Sequence, residues 1–323
     1  MPRPDLALAA AAVLWAGPGA VVSPRDALRP EPLAEDEYVE SFTFVADLDD
    51  GTYVQVQLGV TNIGPDDRNG FCRAFVRRPG ADAWSGSARV GHHWGHGHPA
   101  DGGERLDVGT CSASAGAGGT VVRALLSGHT VELAYAQPAA PPDAPVAEVA
   151  LDGRRYTSWI VEPAGAVSVR LEGFGPAAAL SGGGFADHSR SNVPYRKLAR
   201  SWVRFRALRG DRKVVALARQ APDGGWTPAW MRRGDGPPLP LTGVQVVRGA
   251  GGAFTVALAG EHAGLVKTLS TVYRFASLSE LGLLGRMVAP FVGNSVTYTL
   301  RARLEPPGEP PIDGILEVSV FED

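Results

Sequence analysis

The stretch Ser41–Val60, "SFTFVADLDDGTYVQVQLGV", sets the fold class of the chain. In its first half Phe42, Phe44 and Leu48 fall on alternate positions, and valines and a leucine do the same in its second half. A period of two places such side chains on one face of a β-strand. Asp50-Gly51 supplies a tight-turn signal between the halves. The stretch therefore predicts a β-hairpin with one apolar face.

The same period of two recurs along the rest of the chain at short spacing. A chain with 41 glycines and 26 prolines is also rich in turn residues, as an all-β protein requires. Only 278–291, "LSELGLLGRMVAPF", has a helical pattern. The further strand-like segments are 71–78, 104–115, 120–128, 129–137, 241–249, 252–260, 296–304 and 314–323. This even spacing favours two β-barrels or sandwiches in tandem over an α/β fold.

The second half of the chain opens in the same way as the first. Residues 201–226 contain a strand, a polar Gly-Asp turn, a second strand and a Pro-Asp-Gly-Gly turn. Residues 41–70 follow the same order of strands and turns. The match is one of pattern and not of identity, and it predicts a duplicated β unit. The proline-rich segment 137–145 is interpreted as a connection.

Composition and motifs exclude several classes of function. A net charge of −3 over 323 residues gives no general attraction to nucleic acid or anionic membrane. The basic segment 190–213 carries nine Lys or Arg and interleaves Trp202 and Phe205, so a nucleic-acid surface is one interpretation. A solvated strand face or a cavity lining is the interpretation we favour. Because nucleotide-binding loops, nucleophile elbows and zinc-protease motifs are missing, we expect no cofactor, no metal and no nucleic-acid partner.

The N-terminal segment 1–20 resembles a secretory signal. Arg3 precedes an apolar run that ends in small residues. The run is too short for a stable membrane span. We expect a periplasmic or secreted protein, or a cytoplasmic one if the segment is retained as an alanine-rich helix. Export would allow Cys72 and Cys111 to form a disulfide, and the alternative is two buried thiols on strands.

Four of the seven histidines fall in 91–99, "GHHWGHGHP". Imidazoles at this density bind zinc, copper or nickel. The glycines and the proline make the segment flexible, and neither a cysteine nor a carboxylate completes a rigid ligand set within it. We interpret it as an adventitious metal-binding loop between strands.

The segment 182–195, "GGGFADHSRSNVPY", carries the strongest candidate for chemistry. A carboxylate next to an imidazole can share a proton, and an apolar cavity raises the carboxyl pKa so that it stays protonated. Asp187 and His188 could therefore serve as an acid and its partner. The alternative is structural: Asp187 caps a turn, His188 bonds a backbone carbonyl, and Arg190 neutralises the aspartate.

At this segment the sequence resembles the carotenoid 1,2-hydratase and AttH-like superfamily. Residues 182–188, "GGGFADH", are similar to its motif G-x-G-Y-x-D-H-x-x-G, with Phe185 in place of tyrosine and Ala186 where the hydratases often carry a further histidine. Residues 166–182 and the closing strands resemble the family as well. The resemblance implies two tandem lipocalin-like antiparallel β-barrels, shared with survival-factor proteins and some fungal Diels–Alderases. We predict barrels at 36–185 and 186–323, and one or two short helices.

The resemblance implies that Asp187 is a proton donor and His188 its partner or a water activator. Aromatic and charged residues near the motif would line the cavity. Trp202, Arg204 and Arg206 share one face of a strand, which could point inward, toward an apolar ligand with a polar or anionic end, or outward to solvent. The predicted substrate-binding residues are Phe185, Arg190, Tyr195, Trp202, Arg204, Tyr156, Trp159 and Glu162.

Two principal functions follow from these residues. The first is a cofactor-free hydratase or cyclase that protonates a double bond of an apolar isoprenoid- or polyketide-like molecule. The second is a non-catalytic carrier for lipids or other apolar ligands, which needs the cavity but not the acid. A third possibility is that the barrels bind a protein and have no small-molecule site. The oligomeric state stays open.

Overall fold

The computed structural model describes residues 27–63, 66–100, 102–137, 146–175, 179–276 and 294–322. The predicted signal at 1–20 and the predicted helix at 278–291 lie outside the described residues, as does most of 137–145. Within the described ranges, helix is confined to α1 (Tyr195–Leu198) and one 3-10 turn (Ala250–Gly252). The prediction of an all-β chain with one or two short helices is confirmed.

The first sheet contains twelve antiparallel strands in the described residues. Its spatial order is β4-β3-β2-β1-β12-β11-β9-β8-β7-β6-β5, with β10 paired to β11. The strands are β1 (Val39–Leu48), β2 (Tyr53–Thr61), β3 (Asn69–Arg77), β4 (Trp84–Gly91), β5 (Trp94–Gly97), β6 (Glu104–Val108), β7 (Cys111–Gly116), β8 (Gly119–Leu126), β9 (His129–Tyr135), β10 (Ala147–Leu151), β11 (Arg154–Glu172) and β12 (Ala179–Ser191).

The second sheet has nine antiparallel strands among the described residues, in the order β16-β15-β14-β13-β21-β20-β19-β18-β17. Both sheets curl into near-barrels. The strands are β13 (Ser201–Ala207), β14 (Val214–Gln220), β15 (Trp226–Arg233), β16 (Leu239–Pro240), β17 (Gly243–Arg248), β18 (Phe254–Ala259), β19 (Leu265–Ala276), β20 (Asn294–Glu305) and β21 (Ile312–Glu322).

The two sheets share one plan of strand pairing. In each sheet the first strand pairs with the next strand and also with the last: β1 with β2 and β12, and β13 with β14 and β21. The hairpin predicted from 41–60 forms β1 and β2, with the turn at Asp49 to Thr52 closed by a hydrogen bond from the Leu48 amide to the Thr52 carbonyl. β12 stays in the first sheet through Ser191, so it runs across the domain boundary predicted after Phe185.

Three apolar clusters hold the molecule together. One fills the interior of the first sheet and includes Phe42, Phe44 and Leu48, and a second fills the interior of the second sheet. The third lies between the sheets and includes Val45 and Phe185. β1 is consequently buried on both faces and not only on the predicted apolar face, because its other face packs against the second sheet.

A disulfide joins Cys72 of β3 to Cys111 of β7. These strands are not neighbours in the sheet, and both sulfur atoms lie inside the first apolar cluster. The bond therefore links two separated parts of the curled sheet across its interior. The sequence left a disulfide and two buried thiols equally open, and the structure has the disulfide.

The histidine-rich segment forms the β4–β5 turn and β5. His92 and His93 are exposed, whereas His96 is hydrogen-bonded to Glu104 at 3.0 Å. No group of three potential metal ligands comes together among the described residues. In the same part of the chain, no helix is long and apolar enough to cross a membrane.

Candidate active site

The strand β12 carries the predicted motif and has two buried faces. Side chains alternate along a strand, so Asp187 and His188 point in opposite directions. Asp187 and Phe185 face the second sheet, and Phe185 belongs to the apolar cluster between the sheets. His188 and Ala186 face the interior of the first sheet. The two residues predicted to act as a pair are therefore not brought together.

The glycines of the motif permit close approach of other chain segments. A Cβ atom on Gly183 would lie 1.9 Å from the carbonyl oxygen of Leu208, just after β13. A Cβ on Gly182 would lie 2.4 Å from the Asp47 carbonyl, and one on Gly184 would lie 2.5 Å from the Tyr135 ring. Because no side chain intervenes at Gly183, β13 of the second sheet packs directly against β12.

A small cavity lies where β12 meets the second sheet. Its volume is about 10 Å³, which is room for about one water molecule. The polar members of its wall are Ser158, Asp187, Arg204 and Arg206. The apolar members are Val146, Ile160, Phe185, Val215, Ala216, Leu217 and Trp230. Its wall is therefore mostly apolar with a few convergent polar groups, which is the composition of a small-molecule site, although the volume is that of one water molecule.

Asp187 shares the guanidinium of Arg206 with a second buried carboxylate. Arg206 Nη1 donates to Glu317 Oε2 at 2.7 Å, whereas Arg206 Nη2 lies 3.5 Å from Asp187 Oδ2. The Tyr53 hydroxyl donates to the other oxygen of Glu317 at 3.3 Å. The Arg206 guanidinium also lies over the Phe185 ring, 4.7 Å from its centre. Glu317 therefore holds Arg206, and Asp187 receives the weaker contact.

The pKa values of the two carboxyl groups shift in opposite directions. Burial raises the pKa of Asp187 above its ordinary value, Arg204 and Arg206 offset part of that rise, and Glu317 adds to it. Burial also acts to raise the pKa of Glu317, but the charges of Arg206 and Arg204 hold it below its ordinary value. Carboxyl groups whose environments push their pKa values apart take the roles of acid and anion. Asp187 is the group that can carry a proton.

Trp202 and Arg204 extend this wall of the cavity. The mixed face of β13 points neither to solvent nor into its own barrel, because it packs at the junction of the two sheets. The Arg204 guanidinium lies over the Trp202 ring, 5.5 Å from its centre. The Tyr156 ring also packs against Trp202, with the two ring centres 5.2 Å apart. Burial raises the pKa of Tyr156. The structure thus brings five of the predicted residues together: Asp187, Phe185, Tyr156, Trp202 and Arg204.

His188 occupies a second polar cluster inside the first sheet. Its Nε2 lies 2.6 Å from Glu40 Oε1, and its ring stacks on Phe42 at 4.2 Å and packs against Trp159 at 5.1 Å. Glu40 also accepts hydrogen bonds from the Tyr38 hydroxyl and the Glu31 amide. Burial acts to raise the pKa of Glu40, but these hydrogen bonds hold it below its ordinary value. Glu40 is thus a buried carboxylate that fixes His188.

The three remaining predicted residues do not line the cavity. Arg190 pairs with Glu31 and lies over the Trp159 ring, on the His188 side of β12. Glu162 is buried at an irregularity of β11, and burial raises its pKa although the amides of Ala164 and Gly165 act in the opposite direction.

Tyr195, in α1, packs edge-on against Phe321 at 5.2 Å.

Sequence reasoning missed Glu317, Tyr53 and Trp230, which complete the site. They come from β21, β2 and β15, so no local motif could associate them with Asp187. Glu317 nevertheless left a signal, because it is the one acid in the apolar run 315–318, "ILEV". A charged residue at such a position is rarely buried without a partner.

The comparisons with known proteins bear on this architecture. The sequence matches no protein-family model and no curated protein. Among solved structures, a candidate AttH from Nitrosomonas europaea superposes with a TM-score of 0.64 at 16% identity, covering 95% of this chain and 99% of that one. The chain has the AttH-like fold.

Two further solved structures have the same arrangement. CghA gives a TM-score of 0.59 at 16% identity, covering 89% of this chain and 88% of that one. Kievitone hydratase from Nectria haematococca gives 0.53 at 12% identity, covering 89% of each chain. These superpositions extend over both sheets, so the predicted resemblance is confirmed at the level of the fold. At these identities the likeness concerns the fold and not the reaction.

Proposed function

We propose that this chain is a cofactor-free hydratase or cyclase in which Asp187 protonates a carbon–carbon double bond of an apolar molecule. The observation that carries the proposal is the position of Asp187. It is a buried carboxyl group with a raised pKa on the wall of a mostly apolar cavity. A hydratase among the solved neighbours supports the same class of reaction.

The proposed reaction uses only a proton and water. The carboxyl group of Asp187 gives its proton to one alkene carbon, the π electrons form the new C–H bond, and the adjacent carbon becomes a cation. Water attacks the cation, and its surplus proton returns to the Asp187 carboxylate, which restores the acid. In a cyclase a second double bond attacks instead, and the final proton loss again regenerates Asp187.

The cavity wall fits the two stages of this reaction. The aromatic side chains of Trp230 and Phe185 present π electrons, which stabilise a neighbouring cation. Water fits the cavity as it stands, whereas an alkene must displace apolar side chains such as Leu217. The barrel interiors are filled by buried side chains in the described residues, so we place the substrate between the sheets and not inside either barrel.

The proposal is tested with three acyclic isoprenoid alkenes, squalene, lycopene and geranic acid, in oxygen-18-labelled water. We expect a labelled alcohol, or an isomer of the substrate, by mass spectrometry. Asp187→Asn removes the proton and should reduce turnover by at least about 100-fold while the alkene still binds. Asp313→Asn, at an exposed acid paired with Arg303, is the matched control. Wild-type turnover by Asp187→Asn would overturn the assignment, and binding without turnover by the wild type would favour a carrier.

A further inference from the structure

Arg204 is a charged side chain on the cavity wall. It is partly exposed, and its neighbours Val203 and Phe205 point into the second barrel. Burial acts to lower the pKa of Arg204, but the charges of Asp187 and Glu317 and the nearby tyrosines hold it above its ordinary value. The guanidinium is therefore charged, and it can offer several N–H donors in one plane.

Arg204 and Arg206 differ in how their charge is balanced. Arg206 forms ion pairs with Glu317 and Asp187. Across the described ranges of the chain, Arg204 has no ion pair, and its close contact is the face of Trp202. Asp187 and Glu317 act on Arg204 from beyond ion-pair distance, so a ligand that brings an anionic oxygen into contact with the guanidinium adds an interaction that these carboxyl groups do not supply.

Among the charged groups around Asp187, one positive charge is not neutralised. Glu317 is the ionised carboxylate and offsets Arg206. Asp187, as the neutral acid of the proposed reaction, offsets nothing, so the charge of Arg204 remains. The charged and titratable groups that interact with Asp187 are Arg204, Arg206, Glu317, Tyr135, Tyr156 and, on the opposite face of its own strand, His188.

A second polar group beside Arg204 also has no partner. The Tyr156 hydroxyl is buried, and Ser158 and Arg204 lie near enough to lower its pKa, but neither meets it in good hydrogen-bonding geometry. The charge of Arg204 counteracts part of the rise that burial causes in the pKa of Tyr156, which places the hydroxyl near the guanidinium. An unpaired buried hydroxyl next to an unpaired cation forms a donor pair suited to one anionic oxygen acceptor.

We propose that Arg204, assisted by Tyr156, binds an anionic oxygen of the substrate, so that the substrate is an unsaturated apolar molecule ending in a carboxylate or an enolate. This inference rests on the proposed function, because it takes Asp187 as the neutral acid. The anionic end anchors at Arg204, and the adjoining double bond is thereby held over Asp187 on the same wall. Such anchoring by a remote group positions the reacting atoms.

The proposal is tested by binding of two matched probes, geranic acid and geraniol, measured by calorimetry at pH 7, where the acid is ionised. We expect the wild type to bind geranate about 10- to 100-fold more tightly than geraniol. Arg204→Gln should abolish this preference, and Arg204→Lys should restore part of it. The control Arg200→Gln alters an exposed arginine just before the same strand and should keep the preference. Equal binding of both probes by the wild type, or a preference retained by Arg204→Gln, would overturn the proposal.

Asp187→Asn separates this inference from the proposed function. The asparagine is neutral like the protonated acid, so the variant should keep the preference for geranate although it has lost turnover. Full turnover in Asp187→Asn with an intact preference would defeat the acid assignment alone. If Asp187→Asn loses turnover but no protein, the wild type included, prefers geranate to geraniol, the anion site alone would be wrong. Thermal unfolding of each variant confirms that it is folded.

Discussion

The Asp187 carboxylate and the Arg206 guanidinium lie 3.5 Å apart across the junction of the two sheets. Arg206 is held more closely by Glu317, at 2.7 Å. A cation that already has a strong partner stabilises a second carboxylate less. This unequal sharing lets burial dominate at Asp187, so that the pKa of its carboxyl group is above that of an exposed aspartate.

Glu317→Gln should lower the pKa of Asp187. The substitution removes a negative charge that raises this pKa, and it leaves Arg206 free to bind Asp187 more closely. The titration can be followed by NMR in protein labelled with carbon-13 aspartate, with Asp187→Asn used to assign the signal. The control is Glu172→Gln, which alters an exposed acid paired with Arg170 and should not move the titration. An unchanged or higher pKa in Glu317→Gln would contradict the arrangement.

Asp187→Asn should stabilise the protein increasingly as the pH rises. The folded pKa of Asp187 is above its unfolded value of about 3.9, so between the two values only the folded state keeps the proton. Stability contributed by the protonated group is thus lost as the pH rises through this window. The advantage of the variant should grow by up to about 1.4 kcal/mol per pH unit there, and level off above the folded pKa.

Urea unfolding of both proteins across this pH range measures the difference. The other titratable groups are common to both proteins, so the comparison isolates Asp187. A difference that is independent of pH, or that falls as the pH rises, would show that the folded pKa of Asp187 is not raised.

Period-two alternation explains which parts of the site could be predicted from the sequence. It predicted the hairpin of β1 and β2 correctly. The predicted pairing of Asp187 with His188 did not take the same alternation into account, and the structure places the two side chains on opposite faces of β12. The motif drew attention to both residues together, but only Asp187 reaches the cavity. Tyr53 and Glu317 are 264 positions apart, so their contact depends on how two sheets pack and leaves no local pattern.

Asp47→Asn should weaken the junction between the sheets at a point away from the cavity. Asp47 is fully buried in β1, and its oxygens contact Arg301 at 2.5 Å and Arg209 at 3.2 Å, both from the second half of the chain. Burial raises the pKa of Asp47, and the charges of Arg301 and Arg209 offset part of that rise. At a pH where Asp47 is ionised, its removal leaves the two guanidinium groups uncompensated, at a cost of about 3 kcal/mol. Urea unfolding measures this loss.

The exposed pair Arg303–Asp313 provides the comparison for Asp47. Asp313→Asn breaks an ion pair of 2.7 Å at the surface, where such a pair contributes less than about 1 kcal/mol. If the two variants lose equal stability, the Asp47 cluster does not act as a buried link between the sheets.

Gly183→Ala should separate the two strands that form the site. The new Cβ would lie 1.9 Å from the Leu208 carbonyl oxygen, a backbone atom that can move only if β13 shifts away from β12. Overpacking of this kind costs about 3 kcal/mol. Because Arg206 lies on β13, its distance from Asp187 should increase, and the pKa of Asp187 should rise further. Urea unfolding and the carbon-13 titration measure the two effects.

Gly95→Ala on β5 is the control, since nothing lies within 4 Å of the added atom. A Gly183→Ala protein as stable as Gly95→Ala, with an unchanged Asp187 titration, would show that the motif glycine does not set the contact between the sheets.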